Sequence, residues 1–126
     1  MVLERVQSLL KLRFQVVGAV HNGVDLVAEA KRLGPDVIVS DITMPLLNGI
    51  EAAYELRKAG STAKLVFLTV HGSPAFVDMC LAQGALGYVT KERMGLDLIT
   101  AINEALQGRR FISPQIRTEQ SSQGLI

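Results

Sequence analysis

Three side chains in this sequence have the types and positions needed to act together on a phosphoryl group. Asp41 follows the run Val37-Ile38-Val39-Ser40, Thr69 follows Phe67-Leu68, and Lys91 follows Tyr88-Val89-Thr90. A carboxylate, a hydroxyl and an ammonium therefore each stand just after a short apolar run. Aspartate serves as a covalent acceptor in aspartyl-phosphate chemistry. Lysine offers a compact countercharge for phosphate, and a hydroxyl can donate to a charged phosphoryl oxygen. Any one of the three alone is an ordinary turn residue. Together, with complementary chemistry, they describe a site.

Whether they meet depends on the elements that carry them. Helical spacing places Leu3, Val6 and Leu10 on one face of a helix from Val2 to Leu12. Phe14 to Val20 has the composition of a strand, built on Val16, Val17, Ala19 and Val20. After Asn22-Gly23 a second helix carries Leu26, Ala30 and Leu33 at i, i+4 and i+7. Gly34-Pro35 ends it, since proline cannot continue the helix. Asp36 to Ser40 is the next strand, and a loop with Asp41, Pro45 and Gly49 leads into a helix burying Ile50, Ala53 and Leu56.

The alternation then repeats. Lys64 to Leu68 forms a strand, and Ser73-Pro74 has the pattern of an N-cap followed by proline at the first helical position. That helix turns Val77, Cys80 and Leu81 inward and stops at Gly84. Leu86 to Val89 is a short strand, and a last helix from Gly95 to Gln107 buries Leu98, Ile102, Ala105 and Leu106. Strands apolar on both faces, separated by amphipathic helices, specify an α/β fold: a doubly wound parallel sheet covered on both sides. Crossovers in such sheets are right-handed. The functional edge lies beyond the carboxyl ends of the strands, near the point where strand order reverses. Asp41, Thr69 and Lys91 all end strands on that edge.

Composition narrows the field further. A chain of 126 residues with 48% apolar residues fills one core and one domain. The net charge of +1, with mixed signs throughout, gives no nucleic-acid surface. Arg109-Arg110 is too short to make one. No apolar run reaches the roughly 20 residues of a membrane span, and the start lacks the layout of a signal peptide. The single Cys80 fits a reducing compartment and belongs to a core stripe. A cytoplasmic location is expected.

The segment Val37-Ile38-Val39-Ser40-Asp41-Ile42-Thr43-Met44-Pro45, with Asn48-Gly49 following, resembles the phospho-acceptor strand and loop of response regulator receiver domains. Leu68-Thr69-Val70-His71 and Gly87-Tyr88-Val89-Thr90-Lys91 are similar to that family's switch threonine, aromatic position and lysine. Asn22-Gly23, Gly34-Pro35-Asp36 and Gly108 to Pro114 are similar to the NarL-like subgroup, whose members continue into a helix-turn-helix output domain. The resemblance runs from Val2 to Ile116 and implies a flavodoxin-like, CheY-like fold. It divides the chain into a receiver domain over residues 1–116 and a polar tail or linker start over 117–126.

By the same resemblance, Asp41 accepts a phosphoryl group from a histidine kinase in two-component signalling, and Thr69 and Lys91 contact that group. Magnesium is held by Asp41 and the backbone carbonyl of Thr43. Thr43 and His71 tune the lifetime of the phosphorylated state. Thr69 and Tyr88 form the switch, which remodels a face built on Ser73 to Gln83, Leu86 to Val89 and Gly95 to Gln107. That face serves a homodimer or an output domain, with no direct contact to nucleic acid or membrane. The chain is then a phospho-acceptor rather than an enzyme in the ordinary sense, with phosphotransfer and autodephosphorylation its only chemistry.

One part of the family pattern is not in this sequence. Receiver domains begin with a strand that ends in an acidic pair of magnesium ligands, whereas Met1-Val2-Leu3 already lies in what resembles the first helix. Four strands and five helices are recognisable, and magnesium binding is expected to be weakened. In the family's 2-1-3-4-5 strand order, the two neighbours of the first strand are Phe14 to Val20 and Asp36 to Ser40. Three resolutions stay open: the coding sequence starts upstream, the two neighbours close up, or another chain fills the gap. Other functions fit less well. A haloacid-dehalogenase-like phosphatase wants a second aspartate two residues after the first, where Thr43 stands. A flavin-binding protein of this fold wants a phosphate loop. A degenerate receiver, never phosphorylated and acting only through protein contacts, is the remaining alternative.

Overall fold

The computed structural model describes residues 2–42, 46–70 and 74–114, apart from the side chains of residues 2–4 and 74. The elements follow in the order α1 (Val2–Lys11), α2 (Gly23–Leu33), β1 (Val37–Asp41), α3 (Gly49–Lys58), β2 (Lys64–Thr69), α4 (Pro74–Ala82), β3 (Gly87–Thr90), α5 (Met94–Leu106) and β4 (Phe111–Ile112). A 3₁₀ turn, Lys91–Arg93, links β3 to α5. The strands form one sheet in the order β1-β2-β3-β4, every pair parallel. Val39 pairs with Val66, and Phe67 with Tyr88.

Because side chains alternate along a strand, β2 feeds two separate cores. Leu65 and Phe67 join Ile38, Ala53, Leu56, Val77 and Tyr88 beneath α2, α3 and α4. Val66 and Leu68 join Val6, Val89, Leu98 and Ile102 beneath α1 and α5. Helix ends are set locally. The Asn22 side chain accepts from the Asp25 N–H at 2.8 Å. Asn48 and Glu51 form a reciprocal capping box at the start of α3. Gly34 takes the left-handed conformation, φ 57°, that closes α2.

Several sequence expectations need correction. Phe14 to Val20 does not form a strand: residues 15–20 join no ladder. A strand needs a neighbour about 4.8 Å away to satisfy its backbone groups. This segment instead faces β1 across a cavity of about 580 Å³, with Asp41 and Lys91 among the lining residues. The two neighbours of the family's first strand have not closed up. The fourth strand is β4, Phe111–Ile112, which adds to the far edge beside β3. The described strands run in sequence order, so they contain no point of reversal. Leu106, expected to be buried, is 40% exposed because it lies in the last turn of α5.

Other expectations concern residues outside the described ones. Thr43, His71, Ser73 and the tail from Gln115 are among them.

Cys80 sits on the buried face of α4 with no exposed surface, and burial pushes its thiol up to about 12. The nucleophile is the thiolate, so Cys80 is expected to resist a maleimide at neutral pH until the protein is unfolded. Intact-mass measurement with and without denaturant checks this. Complete labelling of the native protein within minutes would contradict the packing of α4.

Candidate functional site

The carboxyl ends of β1, β2 and β3 carry Asp41, Thr69 and Thr90, with Lys91 next in the chain. Register fixes their stagger: Asp41 lies opposite Leu68, and Thr69 opposite Thr90. Thr69 therefore stands one residue beyond Asp41 on the neighbouring strand, and Lys91 one residue beyond Thr90.

The Lys91 side chain reaches across the strand ends. Its Nζ donates to Asp41 Oδ2 at 2.5 Å, with the two side chains 23% and 31% exposed. The pair is thus partly shielded but open enough for a small anion to approach. Lysine's ammonium is a compact charge on a flexible stem, which suits it to move from a carboxylate to an incoming phosphoryl oxygen. Thr69 has no exposed surface, so its hydroxyl is closed off from solvent.

The backbone around Asp41 is closely held. Ser40 Oγ donates to the Asp41 carbonyl at 2.8 Å, and the Gly49 N–H donates to the Ile42 carbonyl at 2.8 Å. A Cβ at position 49 would fall 2.0 Å from the Asp41 carbonyl oxygen, so only glycine lets α3 start this close. Ile42 is 4% exposed and anchors the turn beyond the strand.

Tyr88 is fully buried on the α2–α4 side, in the cluster with Phe67, Val77 and Cys80. Burial, and secondarily the nearby Cys80 thiol, raises its hydroxyl well above the ordinary tyrosine range. Among the described residues, no three His, Cys, Asp or Glu side chains gather to hold a metal ion. Asp41 is the carboxylate at the described edge, and Thr43 and His71 fall outside the described residues.

Sequence reasoning missed a second polar group beside the site. Asp97 is 6% exposed and Ser113 fully buried; Ser113 donates to Asp97 and accepts from the Thr90 N–H at the end of β3. One local signal was present. Asp97 directly precedes the buried Leu98, and a carboxylate at such a place needs partners.

Comparison with known proteins agrees with this arrangement. The family model described as "Response regulator receiver domain" matches residues 1–103. The chain is 35% identical over 118 residues to the uncharacterized transcriptional regulatory protein YvfU of Bacillus subtilis, covering 92% of this chain and 59% of that protein. It is 37% identical over 102 residues to the response regulator GacA of Pseudomonas viridiflava, covering 81% and 48%. The chain thus spans only part of the length of these relatives. Among solved structures, a LuxR-family two-component response regulator from Aurantimonas sp. SI85-9A1 superposes with a TM-score of 0.90 at 31% identity, covering 98% of this chain and 89% of that one. The signal receiver domain of the NarL regulator from Mycobacterium tuberculosis gives 0.79 at 29% identity, covering 84% and 87%. No described helix is long and apolar enough to cross a membrane. With this match over most of its length, and an aspartate and a lysine paired at the strand ends, the chain belongs to the response regulator receiver domain family.

Proposed function

We propose that Asp41 is the phospho-acceptor of this receiver domain, taking its phosphoryl group from the phosphohistidine of a kinase. The observation that carries the reading is the Lys91–Asp41 pair at 2.5 Å, on the edge where three strands end. A carboxylate oxygen of Asp41 attacks phosphorus, and the P–N bond to the donor imidazole breaks. The electron pair leaves on that nitrogen, which takes up a proton, and a new P–O bond completes an acyl phosphate. Lys91 supplies positive charge to oxygens that gain negative charge in the transition state. The Thr69 hydroxyl, once turned toward the phosphoryl group, donates to one of them.

Receiver domains bind magnesium in an acidic pocket. Magnesium takes near-octahedral oxygen coordination through carboxylates, phosphate and water. The carboxyl ends of the described strands offer one carboxylate, Asp41, which Lys91 already engages, and no three His, Cys, Asp or Glu side chains gather among the described residues. That donor set falls short, so no step is assigned to the ion in this chain.

The output of the switch is a face built on residues 73–83, 86–89 and 95–107. Met79 on α4 and Leu96 and Leu106 on α5 remain exposed and apolar, which suits contact with a second copy or an output domain. Residues 1–116 form the receiver, and 117–126 serve as a polar tail or the start of a linker.

The test is intact-protein mass spectrometry after incubation with acetyl phosphate and magnesium. Slow addition of one phosphoryl group is expected, and none in Asp41→Asn. Equal labelling of Asp41→Asn would place the acceptor elsewhere. No labelling, even in a chain extended by an N-terminal strand that ends in two acids, would leave only the protein-contact function.

A further inference from the structure

We infer that Ser113 and Asp97 are positioning residues for Lys91, tying the cation of the Asp41 pocket to the sheet's last strand. The inference rests on the reading of Asp41 and Lys91 as the phospho-acceptor pair.

Three hydrogen bonds converge on Ser113, which has no exposed surface. Its N–H donates to the Tyr88 carbonyl at 2.9 Å. Its hydroxyl accepts from the Thr90 N–H at 3.2 Å and donates to Asp97 Oδ2 at 3.1 Å. A serine hydroxyl has one hydrogen to give, so these two contacts fix its orientation. Asp97 takes Arg93 Nε on the same oxygen at 2.7 Å, and Arg93 Nη2 on the other at 3.3 Å.

Lys91 lies between two tethered points. Thr90, immediately before it, is held through Ser113. Arg93, two residues after it, is held through its own guanidinium. Both tethers end on one carboxylate, that of Asp97. A lysine stem has several rotatable bonds and delivers its ammonium reliably only from a fixed backbone. The 3₁₀ turn Lys91–Arg93 is that backbone, and Asp97 secures it at both ends. A role confined to starting α5 would need Arg93 and Asp97 but not Ser113, which comes from β4's end.

The arrangement also bridges two functions. Ser113 grips Tyr88 by its carbonyl and Thr90 by its N–H, the residues on either side of Val89 at the end of β3. A shift of the backbone that carries Lys91 is thereby coupled to the segment that runs into Pro114, and by linkage that coupling is reciprocal.

The experiment measures acylation of Lys91 by a small amine-reactive ester, by peptide mass spectrometry, with Lys58 as the exposed internal reference. Ser113→Ala is expected to speed Lys91 acylation roughly fivefold, the factor that corresponds to one net hydrogen bond. Asp97→Asn, which keeps the side-chain shape, should act in the same direction and serves if Ser113→Ala does not fold. Asp41→Asn should also release Lys91, and adding Ser113→Ala to it should produce little more. A lower melting temperature in Ser113→Ala with Lys91 acylated at the wild-type rate overturns the inference, because a purely structural serine would behave in that way. Should Asp41→Asn also leave Lys91 unchanged, the ion pair itself fails, and the proposed function with it.

Discussion

Replacing Tyr88 by alanine is expected to lower the unfolding free energy by about 3–5 kcal/mol, the usual cost of emptying a large buried aromatic site. Tyr88 lies in the middle of the sheet, paired with Phe67 on one side and Ile112 on the other. Its ring is fully buried against the α4 residues Val77 and Cys80. Both neighbours belong to a helix packed on a rigid sheet, which limits how far the cavity can collapse. Domains of this size are stable by about 5–15 kcal/mol in total, so the alanine variant approaches the limit of folding. Tyr88→Phe keeps the ring and gives up only the hydroxyl, at a cost of about 1 kcal/mol. Urea denaturation of the three proteins measures the difference. If alanine costs no more than phenylalanine, Tyr88 is not the core aromatic that its burial indicates, and a switch built on its movement loses its energetic basis.

What was legible in the sequence was mostly local. Gly34-Pro35 signalled the end of α2, and Gly34 closes that helix by its own backbone angles. The apolar runs at β1, β2 and β3 have enough residues for their type to be plain. Phe14 to Val20 has the same composition, yet strand propensity describes fitness for a pleated, half-buried surface and cannot supply the partner. Residues 15–20 lack that partner among the described residues. The two-residue β4 has the opposite history. It is too short to show a period and forms because the edge of β3 is there to receive it.

The site divides in the same way. Asp41 and Lys91 stand 50 residues apart in sequence, yet parallel topology alone brings their strand ends to one edge. Position after a strand was therefore a sufficient signal. The Asp97–Ser113 contact depends on how α5 lies against β4, which no spacing in the sequence encodes. The depth of Thr69 is also a packing result rather than a pattern.

The largest functional gain is expected from adding an N-terminal strand of about five apolar residues that ends in two acids, long enough to run beside β1 at about 3.3 Å per residue. Among the described residues β1 has a ladder partner on one side only, and residues 15–20 face its other side across the cavity of about 580 Å³. Val6 and Ile102 lie on one face of that space, Ala30 and Leu26 on the other. An inserted strand would find apolar cover above and below and backbone groups on both flanks. Each kcal/mol gained raises the melting temperature by roughly 4 °C in a domain of this size. The chemical effect comes from charge. Among the described residues a phosphoryl donor approaching Asp41 meets one compensating cation, Lys91, whereas a divalent ion would neutralise and orient the transferring group. Two acids delivered to the part of the cavity that Asp41 and Lys91 line would complete a donor set for that ion. The added strand also holds the Asp41 loop from its open side, and a misplacement of about 1 Å can cost two orders of magnitude in rate. The extended chain is therefore expected to melt higher and to label on Asp41 about 100-fold faster, with the gain lost when magnesium is removed. Thermal melts and intact-mass time courses with acetyl phosphate, on both chains and on Asp41→Asn of each, measure both effects. If the unextended chain labels as fast as the extended one, the acidic pair is dispensable here and Lys91 alone supplies the countercharge.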